Sequence, residues 1–180
     1  MEPTRDQPIP NGFLLISDAV NRLANGMWGG LPRPVAVRDI KRKYNNQTSK
    51  RLNCIPGVGP LLATALVASV GDPKSFRSGR SFSAWIGLVP KQHSSGGRER
   101  FGSISKQGDR YLRSLFVAGA LAVIRYAKLH GTDHRPWLTA LLARRPTKVA
   151  AIALANKLAR MAWALMASGE RYNYPVALRP

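Results

Sequence analysis

From Leu61 onward, apolar stretches rich in Ala, Leu and Val alternate with short clusters of Gly, Pro, Ser and charge, a rhythm of helices and breakers. LLATALVASVGD predicts a buried helix ending at Gly71, and SFSAWIGL a short segment opened by Ser78-Gly79-Arg80. ISKQGDRYLRSLFVAGALAVIRYAKLHG predicts a long helix with Ser105 as its N-cap, although Gly108 weakens the first turn. HRPWLTALLARR predicts a shorter helix with Pro136 near its start. PTKVAAIALANKLARMAWALMASGE predicts another, entered at Pro146 and stopped by Gly169. In this last helix Val149, Ile152, Ala153, Leu154, Leu158, Met161, Ala162 and Leu165 fall near helical spacing, as a core face or partner-helix seam does. Trp85, Trp137 and Trp163 sit in apolar segments and read as core. Two polar stretches interrupt the pattern: DPKSFRSGR, and KQHSSGGRERFGS, a long loop of the kind that is disproportionately functional.

The fold class expected is mainly α: a compact helical domain with a helix-hairpin-helix element and a long basic Ser/Gly loop. The domain spans 34–172, with the hairpin element over about 44–71 and a tail over 173–180. Residues 1–33 are a different kind of sequence, a Pro- and Gly-punctuated lead-in around FLLISDAVNRLAN. In VAVRDIKRKYNNQTSKRLNCI, Val37, Ile40, Tyr44 and Leu52 mark one side of a basic helix, and the Asn-Asn-Gln-Thr-Ser centre argues against it.

Composition changes the picture through charge. The 180 residues carry 28 Lys+Arg against 9 Asp+Glu, a formal net charge of +19. Such a domain repels itself unless an acidic partner binds it, and nucleic acid is the usual one. A membrane surface is the competitor, but no uninterrupted apolar run of spanning length occurs and the start lacks a signal-peptide pattern, so no membrane partner is expected. The compartment expected is the cytoplasm, at the nucleoid. One cysteine, Cys54, excludes an internal disulfide framework, and zinc-ligand spacing is absent. His130 and His134 have i,i+4 spacing but Gly131 lies between them, so they read as surface, with His93 apart.

Two motifs carry chemistry. In IPGVGPLLATAL, Ile55, Gly57, Val58, Gly59 and Ala63 match the helix-hairpin-helix pattern. Its glycines permit close approach of a phosphate to amides at the start of the next helix. Val58 would plug the hairpin into the core and Ala63 would let the two helices approach. Such contacts hold backbone without reading bases. The second motif, GLVPKQHSSGGRERFGSISKQGDRYLRSL, sets Ser94, Ser95, Ser103 and Ser105 among Lys91, Arg98, Arg100, Lys106, Arg110 and Arg113. Cations can stabilise the charge that builds up when a serine attacks a phosphodiester. Taken alone, such a loop is more often a simple phosphate contact. Phe101 and Tyr111 lie within the basic stretch, and Arg144, Arg145, Lys148, Lys157 and Arg160 supply a further basic face.

The ordered run from IPGVGP through SSGGRERFGSISKQGDRYLR to KVAAIALANKLARMAWALMASGE, about Arg51 to Tyr172, resembles the carboxy-terminal domain of the DEDD insertion-sequence transposases, the bridge-RNA-guided group. The resemblance implies a serine nucleophile that links transiently to DNA, which falls on Ser95, with Ser94 as the alternative. It implies DNA and a guide (bridge) RNA as partners, and self-association or pairing with a full-length transposase. It also implies a RuvC-like amino-terminal half whose four acids bind Mg2+. Before Arg51 stand only Glu2, Asp6, Asp18 and Asp39, too few residues and no alternating strand around them. The expectation is therefore a truncated copy that binds no metal or other cofactor itself. Two functions compete: DNA transposition and recombination through Ser95, and a non-catalytic nucleic-acid-binding module or inactive remnant.

Overall fold

The computed structural model describes residues 46–93, 101–131 and 135–173. Within them lie helices α1 (Gln47–Leu52), α2 (Pro60–Ser69), α3 (Gly79–Ile86), α4 (Arg110–His130), α5 (Pro136–Arg144) and α6 (Thr147–Ser168). A 3-10 turn at Pro73–Ser75 and strands β1 (Pro90–Gln92) and β2 (Phe101–Ile104) complete the set. The domain is mainly helical, as the pattern predicts.

Helix α6 is the axis of the bundle, packing against α1, α3, α4, α5 and the 3-10 turn. Its buried positions are Ala150, Ala151, Leu154, Ala155, Leu158, Ala159 and Ala162. They recur every three to four residues, and most are alanine, so neighbouring backbones approach closely at little entropic cost. By length and mean hydropathy (1.3) α6 would also pass as a membrane-crossing helix, which a core helix does equally well. Helix α4 turns Leu112, Leu115, Phe116, Gly119, Ala120, Val123, Ile124 and Ala127 inward, the i, i+3, i+4 stripe of an amphipathic helix.

The ends are set by local chemistry. Asn46 accepts a hydrogen bond from the Thr48 amide at 2.8 Å and so caps a helix within the polar stretch; Val37, Ile40 and Tyr44 lie outside the described residues. Pro60 begins α2 and Gly169 ends α6 in the left-handed conformation. The expected start of α4 is corrected. Its N-cap is Asp109, whose carboxylate accepts from Leu112 N at 2.9 Å, not Ser105. Residues 101–104 are spent in β2, and Lys106 (φ 57) and Gly108 (φ 96) turn the chain through left-handed geometry first. The polar loop expected over 91–103 is likewise corrected at both ends, because β1 and β2 pair antiparallel, Pro90 with Ile104 and Gln92 with Phe101.

Three core assignments also change. Val149 is 50 % exposed, and Trp85 and Trp137 are 39 % and 41 % exposed. Helical spacing places a side chain on the apolar side of its helix but does not say whether a neighbour covers it. Trp163 fits the expectation better: it is half-buried and donates from Nε1 to the Pro73 carbonyl at 2.9 Å.

Candidate nucleic-acid interface

Helices α1 and α2 pack against each other across the corner Asn53–Gly59. Ile55, Val58 and Ala63 are buried. The two glycines of the corner differ. Gly57 (φ +97) is enclosed: a methyl group there would lie 2.8 Å from Val123 Cγ2, 3.1 Å from Leu158 Cδ1 and 3.2 Å from the Gly119 carbonyl. Gly59 has nothing within 4 Å of where its Cβ would stand. It is the N-cap of α2, with no side chain to satisfy the first amides, and Pro60 follows. Positive helix-end potential and open space thus coincide at Gly59, whereas Gly57 serves packing. Val58 points inward, so only its backbone could meet a ligand.

Arg51 ties this corner to the far end of the fold. Its Nη1 donates to the Gly169 carbonyl and its Nη2 to Thr48 Oγ1 at 3.1 Å. Nothing in the sequence pattern singles out this link between residues 118 positions apart.

The β1–β2 hairpin projects from a rigid root. Ser105 N donates to the Val89 carbonyl at 2.9 Å and Lys106 N to that of Gly87 at 3.3 Å. A methyl group on Gly87 (φ +82) would stand 2.0 Å from Gln107 O, and one on Gly108 (φ +96) 1.7 Å from Trp85 O. Both positions therefore require glycine. Arg113 lies beneath, its Nη1 donating to the Ile86 carbonyl at 2.8 Å. Its guanidinium is half-buried and engaged with the protein's own backbone. Lys91, Lys106 and Arg110 are exposed around the same root. Ser94, Ser95, Arg98 and Arg100 lie outside the described residues, as does the side chain of Phe101. Tyr111, on the first turn of α4, is 38 % exposed. Burial first, and the Asp109 charge second, push its phenol above the usual range.

Two of the described acids, Asp72 and Asp109, cap local structure. Asp72 accepts from Lys74 N at 2.9 Å and Asp109 caps α4. Among the described residues no three His, Cys, Asp or Glu side chains gather where a metal ion could be held. The magnesium centre implied by the resemblance does not fit these residues. His130 is exposed and lies against Tyr126, ring centroids 4.3 Å apart. His134 lies outside the described residues.

A second surface lies beside the hairpin. A groove of about 1010 Å3 runs between the start of α3, the two strands, α5 and the outer side of α6. Val149, Ile152, Met161 and Trp137 give it an apolar lining, and Arg80, Lys157 and Arg160 stand along it. Lys157 Nζ lies 4.5 Å from the Trp137 ring centroid. Lys157 and Arg160 fall in the basic face that the sequence suggests. Arg80 and Trp137 join them only through the fold.

A helical domain with an open amide corner, a projecting basic hairpin and a large positive excess has the attributes of a nucleic-acid-handling module. Residues 49–135 match the sequence profile of the Transposase IS116/IS110/IS902 family, and curated relatives of the chain are transposases. Among curated relatives, a probable family 20 transposase of Pseudomonas aeruginosa is 55 % identical over 118 residues, covering 65 % of this chain and 35 % of that protein. The transposase for insertion sequence element IS1111A of Coxiella burnetii is 46 % identical over 172 residues, 89 % of this chain and 47 % of its own length. The transposase for IS1328 of Yersinia enterocolitica is 38 % identical over 138 residues, covering 74 % and 41 %. The chain thus spans less than half the length of these relatives.

Proposed function

We propose that this domain grips the DNA backbone and acts in transposition as the serine-bearing part of an insertion-sequence recombinase. The observation that carries the reading is the β1–β2 pair, which brackets residues 94–100 on a rigid root with Lys91, Lys106 and Arg110 exposed around it, within a transposase-family domain. Ser95 Oγ attacks a scissile phosphorus. An Oγ–P bond forms, one P–O bond to a deoxyribose breaks, and the proton lost by the serine ends on the leaving oxygen. Arg98 and Arg100, with Lys91, Lys106 and Arg110, stabilise the charge that gathers on the phosphoryl oxygens. The α1–α2 corner acts as a helix-hairpin-helix element and presents its backbone at Gly59 to a neighbouring phosphate, holding DNA in register. The family's acidic, metal-binding half and a guide RNA act from outside the described domain, and assembly with a longer transposase brings them to it.

The test is a nicked duplex that lets the cleaved strand diffuse away, so that a covalent protein–DNA adduct accumulates and can be mapped by mass spectrometry. It is run with this chain and a longer relative. The adduct is expected at Ser95 and disappears in Ser95→Ala. An adduct that survives Ser95→Ala and vanishes in Ser94→Ala would move the nucleophile. Among the described residues no cluster of acids could hold a metal ion, which favours a second reading, in which this chain by itself only binds. It predicts salt-sensitive DNA affinity with no adduct under any condition.

A further inference from the structure

The groove beside the hairpin differs from both motifs that the proposed function uses. Its volume, about 1010 Å3, stands at the top of the roughly 300–1,000 Å3 range of small-molecule sites. It is open along its length, as a site for a segment of polymer is. The lining pairs apolar surface with cations. Val149 and Trp137 are 50 % and 41 % exposed, and the described lining residues include Arg80, Lys157 and Arg160 but no acid. Trp163 is pinned by its bond to the Pro73 carbonyl, and Gly79 lies so close to α6 that a methyl group there would stand 3.3 Å from Arg160 Cα. The wall that carries Arg80 is therefore fixed against the helix that carries Arg160.

Phosphates of a duplex would face those cations, but paired bases would leave the apolar lining wet. An unpaired strand satisfies both, because its bases can lie on aromatic and aliphatic surface while its phosphates meet Lys and Arg. The near wall includes Pro90 and Ile104, the paired residues at the base of the hairpin. We infer that the groove binds an unpaired DNA strand leading to or from the hairpin, with bases against Trp137, Val149 and Ile152 and phosphates against Arg80, Lys157 and Arg160. The inference rests on the DNA reading above and adds a site for single-stranded substrate.

The decisive variant is Val149→Glu. It puts an anion into the groove at an exposed position, so folding is unaffected, which a melting curve checks. The full chain is titrated with labelled oligo-dT, the matching oligo-rU and a duplex. Val149→Glu and Trp137→Ala are each expected to weaken oligo-dT binding by about 5- to 150-fold, the loss of a stacked base, and to leave duplex affinity unchanged. Lys157→Gln should lower the salt slope for oligo-dT by about 0.7. Photo-crosslinking of bromodeoxyuridine-substituted oligo-dT to the wild-type chain should mark the peptide that carries Trp137. Equal losses for strand and duplex overturn the inference. So does intact oligo-dT binding with altered self-association, which would make the groove a protein seam. A loss confined to oligo-rU would make RNA the occupant and overturn the commitment to DNA. If the wild-type chain binds neither strand nor duplex, the DNA reading itself fails. Duplex binding with an oligo-dT affinity indifferent to Val149→Glu defeats this inference alone.

Discussion

The corner at 53–59 and the hairpin at 90–104 are both glycine-punctuated and flanked by cations, yet the fold uses them in opposite ways. The corner is sunk into the bundle. Ile55 through Val58 are buried, and the Gly57 backbone lies against Gly119 so tightly that a methyl group on Gly119 would stand 2.0 Å from the Gly57 carbonyl. The hairpin stands out from the bundle, with Pro90–Gln92 and Gly102–Ser103 exposed. Its glycines of necessity are at the root, Gly87 and Gly108. Glycine spacing in a sequence reports that backbone comes close to something. At Gly57 that something is the protein's own helix, whereas at Gly59 nothing stands within 4 Å of a would-be Cβ, the opening that the proposed phosphate contact would use.

The strongest way to break this contrast is to add a methyl group at each glycine. Gly57→Ala should cost about 2–5 kcal/mol, from about 1–2 for left-handed backbone and about 1–3 for overpacking against Val123. Gly119→Ala should fall in the same range, and the two should be non-additive because they disrupt one contact. Urea unfolding midpoints measure this. A wild-type midpoint for either would mean that the corner is not packed against α4. Gly102→Ala should stay within about 1 kcal/mol, since the nearest atoms belong to the side chain of His93, which can turn away, and the Lys91 carbonyl stands at an ordinary contact distance of 3.6 Å.

The next effect concerns Arg113. The sequence offers it as a DNA contact, while the fold engages it with the Ile86 carbonyl. Arg113→Met keeps much of the stem and should destabilise by about 1.5–3 kcal/mol, the range for a hydrogen bond with a charged partner. Hydrogen exchange should speed up at the hairpin root before it does in α6. Reduced DNA affinity with full stability would instead return Arg113 to the interface.

How much of this was legible follows the same divide. The start of α2 and the end of α6 could be read because Pro60, Gly169 and the alanine runs are local signals, whereas α2 stops at Ser69, short of the Gly71 expected. The start of α4 could not be read at Ser105, because β1 and β2 have three and four residues, too short for an alternation to register. Gly108-Asp109 before YLRSLF did hold the correct signal, a cap residue at the edge of an apolar run. The basic face of α6 was visible at Lys157 and Arg160. The groove was not, because it needs Trp137, Arg80 and the hairpin brought alongside, which no periodicity encodes.

A smaller effect separates fold from function at Gly59. Gly59→Asp supplies the missing side-chain cap to α2 and adds a negative charge at its positive end, so stability should rise by about 0.5–1 kcal/mol. The same charge would meet an approaching phosphate, and duplex affinity should fall about two- to fivefold at low salt. A variant that is stabler and binds as well as the wild type would remove the corner from the interface while leaving its packing intact.

The smallest effect lies in alkaline solution and bears on the hairpin root. Tyr111 has its phenol pushed up by burial, and by the neighbouring Asp109 carboxylate, which resists a second negative charge beside it. A group whose folded-state pKa is raised binds its proton more tightly in the folded chain. Its contribution is therefore complete below the ordinary phenol pKa of about 10 and drains away as pH climbs through the raised value. Tyr172 shifts in the same direction, burial outweighing the opposing pull of Arg135. Melting temperature should thus decline as pH rises past about 10, and Tyr111→Phe should flatten part of that decline. Asp109→Asn is the sharper probe, because asparagine caps a helix about as well as aspartate. It removes the charge and keeps the cap, so it should lessen the alkaline slope with little change near neutrality. If Asp109→Asn loosens the root at neutral pH as much as Arg113→Met does, the carboxylate holds the hairpin by its charge and not by its hydrogen bond to Leu112.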